Sequence, residues 1–294
     1  MKMKNIISFI VSLFLLFALA LTEMLLFIRS SLLSEECYVD SYVKNDIIDE
    51  MTKSINNDVR YYFVQQNIPQ NYLGDIMTKE EVKEEFSEYI SNVIIFLRGD
   101  ADNVKEINAD KYLSRIDRAY EKYLAENQLI TDEVSEEIVN AIKDKAKYNI
   151  EAQIVIVNDN KLFQTSKIQF ARKVLTICYS KTTMVLLLSI DIVLSIILFL
   201  IWKQKINSAY AWIGYSFFAT GLLLGIIFFS GYLSKFYYAI PLSPDYVVYA
   251  IGGVIKKFLK TLTIYSCILI LIGIIFMSFK WIKIIKAHKN KKEI

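Results

Sequence analysis

The chain is predicted to be an all-α integral membrane protein, with four transmembrane helices plus a small extracytoplasmic helical bundle inserted between spans 1 and 2. Three observations predict this. Hydrophobic residues make up 54% of the 294, and only 3 prolines and 9 glycines interrupt them. Four apolar stretches, Ile6 to Ile28, Thr183 to Trp202, Ala209 to Gly231 and Leu262 to Trp281, reach the roughly 18 residues that span a bilayer as a helix. Between the first two lies a long polar segment whose apolar residues recur at helical spacing. The expected organisation is 1–28 first span, 29–181 outer domain, 182–203 second span and 208–231 third span. An outer loop over 232–260, a fourth span over 261–281 and a basic tail over 282–294 follow.

The first stretch has the marks of a signal peptide. Lys2 and Lys4 precede it, and Ala18-Leu19-Ala20 offers small residues for cleavage. The apolar run continues through Met24 to Ile28, however, which buries that site in hydrocarbon. No lipobox precedes Cys37, because Ser34-Glu35-Glu36 is too polar. An uncleaved signal anchor is expected.

Lysines set the orientation. Lys2, Lys4, Lys203, Lys205, Lys280, Lys283, Lys286, Lys289, Lys291 and Lys292 all fall on one side of the four spans. The positive-inside rule makes that side cytoplasmic and puts both termini there, in a cell membrane. The net charge of +3 conceals an asymmetry. From Ser30 to Lys181 there are 27 acidic and 19 basic residues, a net of −8. The loop from Tyr232 to Lys260 has Lys235, Lys256, Lys257 and Lys260 against Asp245. Docking of this basic loop on the acidic domain is one reading; two separately solvated faces is the other.

Within the outer domain, Val43, Ile47, Met51, Ile55, Val59 and Phe63 step by four along one helix that begins near Val39. Ile68 to Gly74 breaks it as a loop. Thr78 with Glu81 forms a capping box. The helix that follows carries Val82, Phe86, Ile90, Val93, Ile94 and Leu97, and stops at Gly99. Asp110 opens another with Leu113, Ile116, Tyr120 and Leu124, and Thr131 a fourth with Val134, Ile138, Ile142 and Ala146. The stretch 154–163 reads equally as a β-hairpin around Asn158-Asp159-Asn160 or as a helix end and loop. Helix resumes near Ser166.

The chemistry is defined by what is missing. His288, the one histidine, sits in the basic tail. Histidine-based triads and metal sites are therefore excluded from the outer and intramembrane parts, and there is no P-loop or dinucleotide fingerprint. The layout looks like that of the bacterial lipoprotein intramolecular transacylases, but that family is expected to use outer histidines, which this chain lacks. Phe96-Leu97-Arg98-Gly99-Asp100-Ala101-Asp102-Asn103 followed by a second helix resembles an uncharacterised family of bacterial four-span membrane proteins, a resemblance that implies no activity. Asp100-Ala101-Asp102-Asn103 begins like a calcium loop, but Val104-Lys105-Glu106-Ile107 breaks the ligand spacing, so a polar interhelical turn is expected. No metal and no cofactor is called for.

A few residues remain as candidates. Cys37 and Cys178 lie just outside the first two spans, where the topology allows a disulfide in an oxidising compartment; free thiols are the alternative. Cys267 reads as a packing residue of span four. Asp191 sits near the middle of span two, where an ionised carboxylate costs about 2.5–3.5 kcal/mol even on insertion scales. It is either a proton or cation site, or a protonated carboxyl bonded to Ser216, Thr220 or Tyr265. Glu23, near the outer end of span one, is the other acidic residue in the apolar runs. Gly221 and Gly225 make a G-x-x-x-G surface for close helix packing. Tyr246 to Leu259 is amphipathic, either an interfacial helix or an outward extension of span four.

The expected function is a non-enzymatic membrane-anchored interaction, sensing or assembly protein with an acidic outer domain. The alternative is a small transporter or channel subunit built on Asp191. Expected partners are the lipid bilayer and an extracytoplasmic protein or a second copy of the chain, and no nucleic acid.

Overall fold

The computed structural model describes residues 2–44, 46–128, 133–155, 163–239 and 245–292. Ten α-helices occur among them and no strand: α1 Lys2–Phe27, α2 Glu35–Lys44, α3 Ile47–Gln65, α4 Lys79–Arg98, α5 Asp110–Glu126, α6 Glu133–Ile154, α7 Ser166–Tyr179, α8 Lys181–Ile201, α9 Ile206–Ser234 and α10 Asp245–Lys292. Four helical stretches are long and apolar enough to cross a membrane: Met3–Leu32, Lys181–Ile201, Ile206–Tyr238 and Val248–Trp281. The chain is a multi-pass membrane protein. It divides into two compact units, one of residues 1–34, 174–241 and 254–294, the other of 35–173 and 242–253.

The first unit gathers the spans around α1. No proline or glycine occurs in α1, so its helix runs unbroken until a π-turn at Ile28–Leu32, closed by Leu33 N donating to the Ile28 carbonyl at 2.9 Å. Protein covers 39% of its apolar stretch but only 6% of α8, so α1 is the inner helix and α8 a peripheral one. Leu15 and Leu19 of α1, Leu198 of α8 and Ile213 of α9 form the apolar core, with Phe217 and Phe276 against it. The fourth span is not preceded by a separate interfacial helix: α10 is continuous from Asp245, so the amphipathic segment extends it.

The second unit is a helical bundle in which α3 packs on α6, α2 on α4 and α5 on α6. The expected long first helix is in fact two, because Asp46 takes a left-handed φ of 56° and separates α2 from α3. Val43 is consequently exposed, and the buried step of four begins at Ile47. The capping box forms as expected, with Thr78 N donating to Glu81 Oε2 at 2.8 Å and Glu81 N to Thr78 Oγ1 at 3.3 Å. Gly99 ends α4 at φ 87°. Asn56, buried on α3, donates to the Met77 carbonyl at 2.9 Å and accepts from Ile76 N and Met77 N. It thereby satisfies the loop backbone before α4. The Thr131 helix start and the 156–162 part of the hairpin reading lie outside the described residues, and Ile154 is the last residue of α6.

Candidate functional site

Hydroxyl groups stitch α1 to its neighbours along its length. Near its start the Trp202 indole donates to Ser8 Oγ at 2.8 Å. One turn further, Ser12 Oγ donates to the Trp212 carbonyl at 3.2 Å, and Ser216 Oγ to the Ser12 carbonyl at 3.0 Å. Thr220 Oγ1 then reaches the Leu16 carbonyl at 3.2 Å. Backbone carbonyls inside a helix keep a spare lone pair, so such bonds add interhelical contacts without breaking the helix.

The ladder ends in two carboxyls. Thr22 Oγ1 donates to Asp191 Oδ2 at 2.8 Å, joining α1 to α8. Ser266 Oγ lies 2.7 Å from Glu23 Oε1, joining α1 to α10. Glu23 and Asp191 are buried, at 3% and 9% exposure, and Glu23 Oε2 and Asp191 Oδ1 have no hydrogen-bond partner. The partner of Asp191 is thus Thr22. The residues expected beside it are engaged elsewhere: Ser216 and Thr220 on α1 carbonyls, and Tyr265 on Ser30 at 2.8 Å.

The glycines complete the junction. A Cβ on Gly221 would lie 2.5 Å from the Ser266 carbonyl oxygen, and one on Gly225 would lie 3.4 Å from Ser266 Cβ. The G-x-x-x-G surface therefore seats Ser266, and α1, α8, α9 and α10 all meet around residues 22 and 23. An equally tight approach lies further along the same two helices, at a pair the sequence reading missed. A Cβ on Gly273 would come within 2.5 Å of Phe218 N, and one on Gly214 within 2.8 Å of the Gly273 carbonyl. Gly214 and Gly221 are seven residues apart, two helical turns, and that spacing was the overlooked signal.

Other candidates resolve differently. Cys37, Cys178 and Cys267 are joined by no disulfide, and Cys37 is buried. His288 falls among residues whose side chains are not described. The turn weighed as a calcium loop receives a guanidinium: Arg172 of α7 donates to the Phe96 carbonyl at 3.0 Å, the Ala101 carbonyl at 2.7 Å and Asp102 Oδ1 at 3.2 Å. No metal-holding group of His, Cys, Asp or Glu occurs among the described residues.

In the bundle, Glu85 is 4% exposed and accepts from Tyr112 at 2.9 Å and from Lys111. The Glu85 bond holds the Lys111 ammonium above its ordinary range. Burial first, then Glu85, pushes Tyr112 up to about 12. A lysine kept charged and a phenol kept protonated are poor bases and nucleophiles, so this cluster ties α4 to α5. The adjoining cleft of about 200 Å³ is lined by ion-paired groups such as Glu88 and Lys105. Glu85 was missed because one Glu among several on a charged helix has no sequence mark of burial.

No protein family matches the chain, and neither a curated protein nor a solved structure does.

Proposed function

We propose that the chain is a non-enzymatic, membrane-anchored interaction, sensing or assembly protein whose helical bundle stands outside the cytoplasm. The lysine distribution supports that orientation, and the position of α1 as inner helix supports an uncleaved anchor. The observation that carries the reading is the grip of Arg172 on the C-terminal end of α4. Arg172 lies on α7, and only Ser180 separates α7 from the span α8. A partner that shifts α4 therefore pulls on a helix that leads directly into the membrane.

The transport alternative has less support. The open groove of about 720 Å³ beside α8 is lined by Val185, Leu186, Ile190, Val193 and Leu194, with Lys181, Thr182 and Ser189 as its polar members. Such a lining suits acyl chains better than ions.

Mild-detergent purification with crosslinking and mass spectrometry tests the proposal. A stoichiometric partner crosslinked to residues 38–165 is expected. Recovery of a homo-oligomer alone, crosslinked through its spans, would overturn it in favour of transport.

A further inference from the structure

We propose that the Glu23–Ser266 and Asp191–Thr22 pairs are proton-binding sites within the span set. This stands apart from whatever the bundle binds.

The first support is the pair of orphaned oxygens. A buried polar atom without a partner is costly, and a carboxyl oxygen in that position takes a proton or a proton-bearing water. Each pair offers three oxygens, two from the carboxyl and one from the hydroxyl. That is too few for a hard metal cation, which takes about six.

The second is the hydrogen count at Ser266. Its hydroxyl lies 2.7 Å from Glu23 Oε1 and 3.0 Å from the Leu262 carbonyl, yet carries one hydrogen. With Glu23 ionised, Ser266 donates to Glu23. With a proton on Glu23, the carboxyl donates to Ser266 Oγ and the hydroxyl turns to Leu262. Both states keep α1 joined to α10, so a proton is gained or lost by rotation of one hydroxyl. Thr22 allows the same exchange with Asp191: it donates to the carboxylate or accepts from the acid. Each event makes or breaks one O–H bond, with water as the source or acceptor of the proton.

The third is the run of hydrogen-bonding groups that continues from the junction. From Ser266 toward the Arg29 end the polar groups are Tyr265, Ser30 and Ser31, with Tyr265 and Ser30 2.8 Å apart and Ser30 and Ser31 3.4 Å apart. Arg29 lies at that end, donating to the Tyr179 carbonyl at 2.6 Å. In the other direction the hydroxyls of Thr220, Ser216, Ser12 and Ser8 line α1 beside the Leu15, Leu19, Leu198 and Ile213 cluster. The titratable groups around the junction are few. On α1 there is Arg29, engaged with Tyr179; on α8, Lys181 at its first turn, at the same end as Arg29; on α10, Tyr265 on Ser30 and the exposed Cys267. Helix α9 brings Gly221, Gly225 and Thr220 to this level.

Attenuated-reflection infrared spectroscopy of the full chain in liposomes tests this, with the buffer stepped upward from about pH 6, above the range in which exposed carboxyls titrate, to alkaline values. A carbonyl band of protonated carboxyls that falls reversibly as the buffer turns alkaline is expected. Glu23→Gln and Asp191→Asn should each remove part of it, and Ser266→Ala should shift the Glu23 part. The wild-type titration stands even if a variant fails to fold. A band that stays constant across the titration would overturn the proposal, leaving packing groups. So would a band that responds to sodium in place of potassium at fixed pH, which would make the junction a cation site.

Discussion

The Arg172 guanidinium lies 4.7 Å above the Phe96 ring centre while its Nε donates to the Phe96 carbonyl at 3.0 Å. One side chain thus uses both the face and the backbone of a single residue at the end of α4. Arg172→Ala is expected to destabilise this part of the bundle by about 1–3 kcal/mol. Hydrogen exchange should quicken over 96–103 and in α7. Arg172→Lys should recover only part of the loss, since an ammonium lacks the planar fork. Asp102→Asn should leave exchange unchanged, because Asp102 is 96% exposed.

Glycine contacts between the third and fourth spans should not weigh equally. Gly221→Ala and Gly273→Ala each place a methyl within 2.5 Å of backbone on the facing helix. Each should cost about 1–3 kcal/mol through forced separation. Gly225→Ala meets only Ser266 Cβ at 3.4 Å and should be near neutral. Thermal stability of the detergent-solubilised chain, read by size-exclusion after heating, distinguishes them.

Acid should weaken the bundle through Glu81. Arg115 donates to both its oxygens, at 2.8 and 2.6 Å, and holds the carboxyl at about 2, against an ordinary 4.5. A depressed carboxyl contributes stability above its unfolded value and loses it as the pH falls from 4.5 toward 2. The melting point of wild type minus that of Glu81→Gln should therefore be constant above this window and shrink within it. A difference that does not change through the window would contradict the assignment.

Asn56→Ala should be among the most damaging changes in the bundle. It leaves Ile76 N, Met77 N and the Met77 carbonyl without their side-chain partner in a buried loop. A loss of about 2–4 kcal/mol is expected. Asn56→Asp keeps the acceptor but brings a buried charge without the donor, so it should not rescue stability. Urea unfolding followed by tyrosine fluorescence measures both.

Intact mass should show that α1 remains on the mature chain. Cleavage after Ala20 would remove Leu15 and Leu19 from the apolar core and the acceptors of Trp202, Ser216 and Thr220. A mature protein that begins at residue 21 would contradict the retained anchor.

Much of the plan was legible in residue order because it depends on local chemistry. Runs of apolar residues without proline mark the spans. Thr78 with Glu81 and Gly99 mark the ends of α4, since caps are satisfied within a few residues of sequence. The break at Asp46 was not legible, because the apolar step of four continues across it. A left-handed residue there reflects how α2 and α3 each meet their own neighbours. The partner of Asp191 was likewise out of reach. Several hydroxyls lie on the spans, and which one faces a carboxyl depends on the rotation and depth of each helix.

By itself, then, the sequence determined four spans, a helical polar segment, the caps of α4 and the cost of a carboxyl at Asp191, because each follows from spacing along one helix. Only the tertiary structure decided that α1 is the inner helix, that Thr22 and Ser266 receive Asp191 and Glu23, and that Gly221 and Gly273, not Gly225, set the closest approaches. Those relations join residues up to 243 positions apart. They depend on how helix faces with nearly equal apolarity choose one another, a choice made by shape and by a few hydrogen bonds.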